Sequence, residues 1–96
     1  MANPFSTETE LLVLRLLRSS PAGLYGLQLV SNSGGNLKRG TVYVTLGRLE
    51  EKGFVDSHTK KQRVHAGLPR PVYRITGFGQ KALAAAEIMG FDAQGA

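Results

Sequence analysis

Gly40-Thr41-Val42-Tyr43-Val44-Thr45-Leu46-Gly47-Arg48-Leu49-Glu50-Glu51-Lys52-Gly53 is the stretch that decides the fold. Val42, Leu46 and Leu49 occupy the i, i+4 and i+7 positions of one helical face, and Gly53 supplies a C-terminal stop. The spacing predicts a helix over 40–52. With those three residues turned to a core, Gly40, Thr41, Val44, Gly47 and Arg48 point outward and Tyr43 lies on the flank. Apart from Arg48, the outward side chains are short or flat. Gly47 is the odd residue, because glycine inside a helix costs about 1 kcal/mol relative to alanine. Close approach of a partner, tight packing inside the domain, or neutral drift would each account for it.

Working upstream, Leu24 to Val30 reads as a short second helix, framed by Pro21, Gly23 and Gly26 and ended by Ser31-Asn32-Ser33-Gly34-Gly35. Before it, Thr7 and Glu10 have capping-box spacing, and Leu11, Leu12, Val13, Leu14, Leu16 and Leu17 fill a first helix that stops at Ser19-Ser20-Pro21. At about 100° per residue, Glu8, Leu11, Arg15 and Arg18 share one narrow strip and apolar residues take most of the remaining circumference. Such a helix asks for burial on more than one side. The domain core supplies one side; the C-terminal helix or a second subunit supplies the other. Leu12, Val13, Leu16 and Leu17 are therefore the candidate dimer residues.

Working downstream, Phe54 to His58 and Val72 to Ile75 are β-type runs separated by a polar stretch with Gly67, Pro69 and Pro71. They predict a hairpin with a long basic tip. Thr76 is placed to cap a last helix within 76–90, and Gly90 to Ala96 reads as a frayed end. The order is helix, helix, helix, hairpin, helix. This is the pattern of a mostly helical α+β domain, a winged helix-turn-helix with a two-stranded wing and a short C-terminal helix that can contribute to dimerisation. A chain of 96 residues makes one such domain, over 1–96, and leaves no room for separate cofactor-binding and catalytic halves.

Charge is divided unevenly. The net charge is +5, but residues 38–74 carry nine basic residues against Glu50, Glu51 and Asp56, for +6, while the two flanks together are slightly negative. A basic segment of this kind is the electrostatic footprint of a polyanion, because each phosphate neutralised releases condensed counterions. A solvated positive face is the plainer explanation, so arrangement has to decide. A major groove about 12 Å wide admits a helix whose exposed side chains let it approach. Arg48 can pair with guanine or a phosphate, Val44 can touch a thymine methyl, and Thr41 and Tyr43 can bond phosphates near the helix N-terminus. Thr41 can equally serve as a helix cap and Tyr43 as an aromatic at the core edge. Behind this helix, the hairpin tip holds Lys60, Lys61, Arg63 and Arg70 with His58 and His65 and no acid. That loop suits contacts to phosphates or to the adjacent minor groove.

At these residues the sequence resembles the PadR family of bacterial winged-helix transcriptional regulators. Gly40-Thr41-Val42-Tyr43 followed by Leu46, Arg48, Leu49, Glu50 and Gly53 is similar to the family's recognition helix. Pro69-Arg70-Pro71-Val72-Tyr73-Arg74-Ile75-Thr76 with Gly79 is similar to its second wing strand and last helix, and Tyr25-Gly26-Leu27-Gln28-Leu29 to its second helix. The resemblance covers roughly residues 7–86. It implies a repressor-like homodimer on operator DNA, with Thr41, Tyr43 and Arg48 on the DNA, Lys38 and Arg39 at the start of the helix near phosphate, and Tyr25 as a further phosphate contact. The sequence departs from the family in Val44, where proline is common, and in Leu27, where an aromatic residue is frequent. About twenty residues follow Thr76, fewer than the family's usual helical dimerisation region. Some members respond to phenolics or drugs at the dimer interface, but no tryptophan or aromatic cluster marks an effector site here.

Other classes fit poorly. There is no cysteine, so disulfide and thiolate chemistry are excluded and the cytoplasm is the default compartment. Leu11 to Leu17 is too short to cross a bilayer and its flank has the wrong sign for a signal peptide. His58 and His65 lack metal-ligand spacing, and Gly34-Gly35 lacks the Lys-Ser/Thr of a phosphate loop. No cofactor, metal or catalytic set is expected, and the chain does not read as an enzyme. The rival function is a winged-helix module for protein interaction, which would expose a larger apolar patch with fewer basic residues. Single-stranded nucleic acid is less suited, since only Tyr43 and Tyr73 are near enough to stack.

Overall fold

The computed structural model describes residues 8–59 and 71–89. Its elements run α1 (Glu8–Arg18), β1 (Leu24–Tyr25), α2 (Gly26–Asn32), α3 (Arg39–Glu51), β2 (Val55–Thr59), β3 (Pro71–Ile75) and α4 (Gly77–Ile88). The strands form one antiparallel sheet in the order β1-β3-β2. Four helices beside a small sheet make the mostly helical α+β winged helix expected from the pattern.

The core is built from the apolar faces of all these elements. Leu11, Val13, Leu14 and Leu17 of α1 are buried together with Leu29, Leu37, Val42, Leu46, Leu49, Phe54, Tyr73 and Leu83. Leu12 and Leu16 are half-buried at its rim. Two arginines of the narrow α1 strip hold α4. Arg18 donates from Nη1 and Nη2 to the two carboxylate oxygens of Glu87 at 2.8 and 3.0 Å, and Arg15 Nε donates to Glu87 Oε2 at 3.1 Å. Glu10 is wholly buried and accepts from Lys52 Nζ at 2.8 Å, tying α1 to the residue that follows α3. Its expected capping partner, Thr7, lies outside the described residues.

The reading of a second helix from Leu24 needs correction. Leu24 and Tyr25 form a strand, paired with Tyr73 and Val72, and the helix begins at Gly26. The wing's two strands thus belong to a three-stranded sheet. Gly23 turns the chain onto the sheet edge with φ +100°, and a Cβ there would overlap Val72 and press Arg74. A two-residue strand has no period to read, and its pairing is with residues far along the chain. The turn from α2 to α3 is organised by buried Ser33, whose Oγ donates to the Val30 carbonyl at 2.8 Å and accepts from the Leu37 amide at 2.9 Å.

The stop at Gly53 behaves as expected. Gly53 adopts φ +80°, its amide donates to the Glu50 carbonyl at 3.0 Å, and the Phe54 amide donates to the Leu49 carbonyl at 2.9 Å, completing a Schellman cap. Strand β2 then pairs with β3 in the register Val55 with Ile75 through Thr59 with Pro71. Thr76 closes the frame. Its Oγ1 accepts from the Gly79 amide at 2.9 Å, capping α4, and donates to the Gly53 carbonyl at 2.7 Å. Gly79 sits directly against the Phe54 backbone, where a Cβ would overlap the carbonyl and stand 2.9 Å from Ile75 Cγ1.

Candidate nucleic-acid interface

Helix α3 hangs on Val42, Thr45, Leu46 and Leu49, all buried. Thr45 joins the core face by donating from Oγ1 to the Thr41 carbonyl at 3.0 Å, which satisfies its hydroxyl inside the apolar layer. Most of the remaining circumference is exposed. Lys38 precedes the helix at its N-cap and Arg39 begins it; both are exposed, as are Gly40, Thr41, Val44 and Arg48. A Cβ placed at Gly40 or Gly47 meets nothing within 4 Å. Tight packing within the domain therefore does not explain Gly47.

Tyr43 lies on the flank of α3 and packs against α2. Its ring lies across the first residue of α2, where a Cβ on Gly26 would come within 2.7 Å of Cζ and 2.8 Å of the hydroxyl. It remains 47% exposed. Together Tyr25, Gly26, Leu27, Tyr43 and Pro71 line a shallow cleft of about 120 Å³. Pro71 opens β3, so the base of the wing meets the two tyrosines there. The fold thus gathers Tyr25, Gly26 and Leu27, Tyr43 of α3 and the start of β3, at the loop end of the β2–β3 ladder, around one cleft. Sequence reasoning named Gly26 as part of the turn that opens the second helix, but did not see that it lies under the Tyr43 ring.

The acids of this region are partly diverted. Glu50 lies toward the sheet, where its Oε2 accepts from Ser57 Oγ at 2.8 Å. Burial, then the nearby Glu50 charge and Tyr43, push the Tyr73 phenol up from its ordinary value, so it stays protonated as a core residue. Glu51 is exposed about two turns beyond Val44 and places a negative charge at the C-terminal end of the outward ridge. A polyanion is thereby favoured along the N-terminal turns of α3 rather than past its end.

The wing candidates Lys60, Lys61, Arg63 and Arg70, with His65, lie outside the described residues. His58 is exposed on β2, with Nε2 3.5 Å from Asp56 Oδ1. Among the described residues no group of three or more His, Asp or Glu side chains could hold a metal, and no helix is long and apolar enough to cross a membrane. Of the four dimer candidates, Val13 and Leu17 are fully buried within the chain's own core, while Leu12 and Leu16 keep partial exposure.

Comparison with known proteins agrees with this architecture. A PadR family transcription regulator from Clostridium difficile is 23% identical and superposes with a TM-score of 0.74 over 86% of each chain. A PadR family regulator from Eggerthella lenta is 27% identical, with a TM-score of 0.68 over 85% of this chain and 73% of that one. The PcaV transcriptional regulator from Streptomyces coelicolor, solved with its natural ligand, is 24% identical with a TM-score of 0.73, and the match covers 86% of this chain but 54% of PcaV. The chain thus spans about half the length of that relative. No curated protein matches the sequence. The model of the PadR-like transcriptional regulator family matches residues 13–85, and its members are DNA-binding regulators rather than enzymes. The winged helix and this match over most of the sequence together establish that the chain belongs to the PadR-like family of transcriptional regulators.

Proposed function

We propose that this protein is a cytoplasmic repressor that binds operator DNA as a homodimer, with α3 in the major groove and the basic wing, residues 58–71, on the backbone or in the minor groove. The observation that carries this reading is the outward face of α3. It combines bare backbone at Gly40 and Gly47 with the exposed side chains of Thr41, Val44 and Arg48, and it lies in the part of the chain that holds all the excess positive charge. A groove-bound helix needs that combination of close approach, a few donors and an apolar tip. In this reading Lys38, Arg39, Thr41, Tyr43 and Tyr25 hold phosphates and orient the helix, while Arg48 and Val44 meet base edges. A single recognition helix reads few base pairs, so a second copy is needed for operator affinity, and Leu12 and Leu16 are the α1 residues still able to meet one.

Fluorescence anisotropy with duplex from upstream of the protein's own gene and a scrambled duplex, at low and near-physiological salt, tests the proposal. A preference on the order of a thousandfold that persists at the higher salt supports it. Equal binding to both duplexes that vanishes with salt contradicts it, and absence of binding even at low salt would move the assignment to a protein-interaction module. Neutralising Lys60 and Lys61 should lower affinity on every duplex and flatten the salt dependence. An unchanged slope would remove the wing from the backbone.

A further inference from the structure

Val44 is 54% exposed in the middle of α3. The core gains nothing from it there, and a β-branched residue is a weaker helix former than alanine or leucine. Its side chain is apolar, stiff about χ1, and unable to donate or accept a hydrogen bond. The residue four before it and the residue three after it, Gly40 and Gly47, present no side chain at all, with open space where a Cβ would stand. The valine methyls therefore stand clear of both glycines, with the hydroxyl of Thr41 one turn before and the longer Arg48 side chain one turn beyond.

In a major groove only one apolar group projects from the base edges, the C5 methyl of a pyrimidine. Thymine carries it, and cytosine carries the same group when methylated at C5. We infer that Val44 is a specificity-determining residue that reads a pyrimidine C5 methyl within each half-site, packing it against its own two methyls above the bare backbone at Gly40 and Gly47. The inference rests on the groove-bound reading of α3. Arg48 selects by donating hydrogen bonds; Val44 selects by burying a methyl, so thymine and 5-methylcytosine are favoured at its base pair and uracil and unmodified cytosine are penalised.

The test uses the full chain and a duplex that it selects from a random pool. The duplex is prepared with thymine replaced by uracil at one position at a time, and with cytosine or 5-methylcytosine at the position that responds. Loss of one buried methyl is expected to weaken binding about fourfold. One uracil position in each half-site should show this loss, 5-methylcytosine should bind more tightly than cytosine by a similar factor, and Val44→Ala should bind the thymine and uracil duplexes equally. Circular dichroism of Val44→Ala should show an unchanged fold, since the residue leaves the core intact. A flat uracil scan on a duplex the protein still selects overturns the inference while leaving DNA reading in place. A uracil penalty that survives in Val44→Ala overturns it as well, by assigning the methyl to another residue. Failure to select any duplex removes the inference and the DNA-reading proposal together.

Discussion

Two helical glycines divide the molecule. Gly79, in α4, is pressed against the Phe54 carbonyl, so its lack of a side chain is demanded by packing within the chain. Gly47, in α3, has open space where a Cβ would stand, and no contact among the described residues demands it. The same contrast runs through the charges. Arg15 and Arg18 of α1 are engaged by Glu87 of α4, and buried Glu10 accepts from Lys52. Lys38, Arg39 and Arg48 stand exposed on the other side, around α3. One half of the domain has its requirements met internally. The other carries features that cost stability or remain on the surface, which is what an interface awaiting a partner looks like.

The largest expected effect comes from breaking the internal half. Gly79→Ala forces a methyl into the Phe54 backbone, and chemical denaturation should show a loss of about 3 kcal/mol. A loss below about 1 kcal/mol would mean that α4 shifts freely on the sheet and that the packing is not tight there. Arg48→Ala should do the opposite kind of damage, weakening DNA binding by about 1 to 3 kcal/mol and relaxing discrimination at one base pair. Its stability should stay within about 0.5 kcal/mol of the parent. Equal loss on every sequence would make Arg48 a phosphate contact.

Gly47→Ala sharpens the comparison most. An open helical position gains about 1 kcal/mol when glycine becomes alanine, so denaturation should show a more stable protein. Anisotropy should show weaker DNA binding, because the added methyl holds the helix away from the groove. A stabilised variant with unchanged affinity would place the partner elsewhere. The smallest effect is electrostatic. The Arg18 guanidinium bonded to Glu87, with Arg15 adding to it and burial opposing, holds this carboxyl below the usual glutamate range. The folded value is depressed, so the contribution is complete above that range and disappears as pH falls through the lowered value. Stability should therefore decline in acid more steeply in the parent than in Glu87→Gln. The pair is partly exposed, so the difference should be small and shrink with added salt. Identical acid profiles would show that the clamp contributes nothing.

What the sequence made legible were the features with local causes. The 3.6-residue spacing of Val42, Leu46 and Leu49, the stop at Gly53 and the cap at Thr76 each act within a few residues, and the family resemblance at Gly40 to Gly53 reinforced them. What escaped depends on residues distant in the chain. The β1 strand exists because Leu24 and Tyr25 meet Tyr73 and Val72. Arg15 and Arg18 could be put on one strip of α1, but their partner Glu87 lies about seventy residues later in the chain. Tyr43 could be put on a flank by its helical angle, but its contact with Gly26 depends on how α2 crosses α3. On the candidate site, the outward direction of Thr41, Val44 and Arg48 followed from the period alone, whereas the meeting of Tyr43 with Tyr25 and Pro71 required the fold.

The most direct test of the contrast between the two halves is an amide chemical-shift map of the isotope-labelled full chain, titrated with the duplex it selects. The account predicts shifts at Tyr25 and Gly26, along Lys38 to Arg48 and through residues 58–71, with Arg15, Arg18 and α4 quiet. Shifts concentrated instead on the exposed side of α4, at Phe78, Ile88 and Met89, with α3 unmoved, would contradict it.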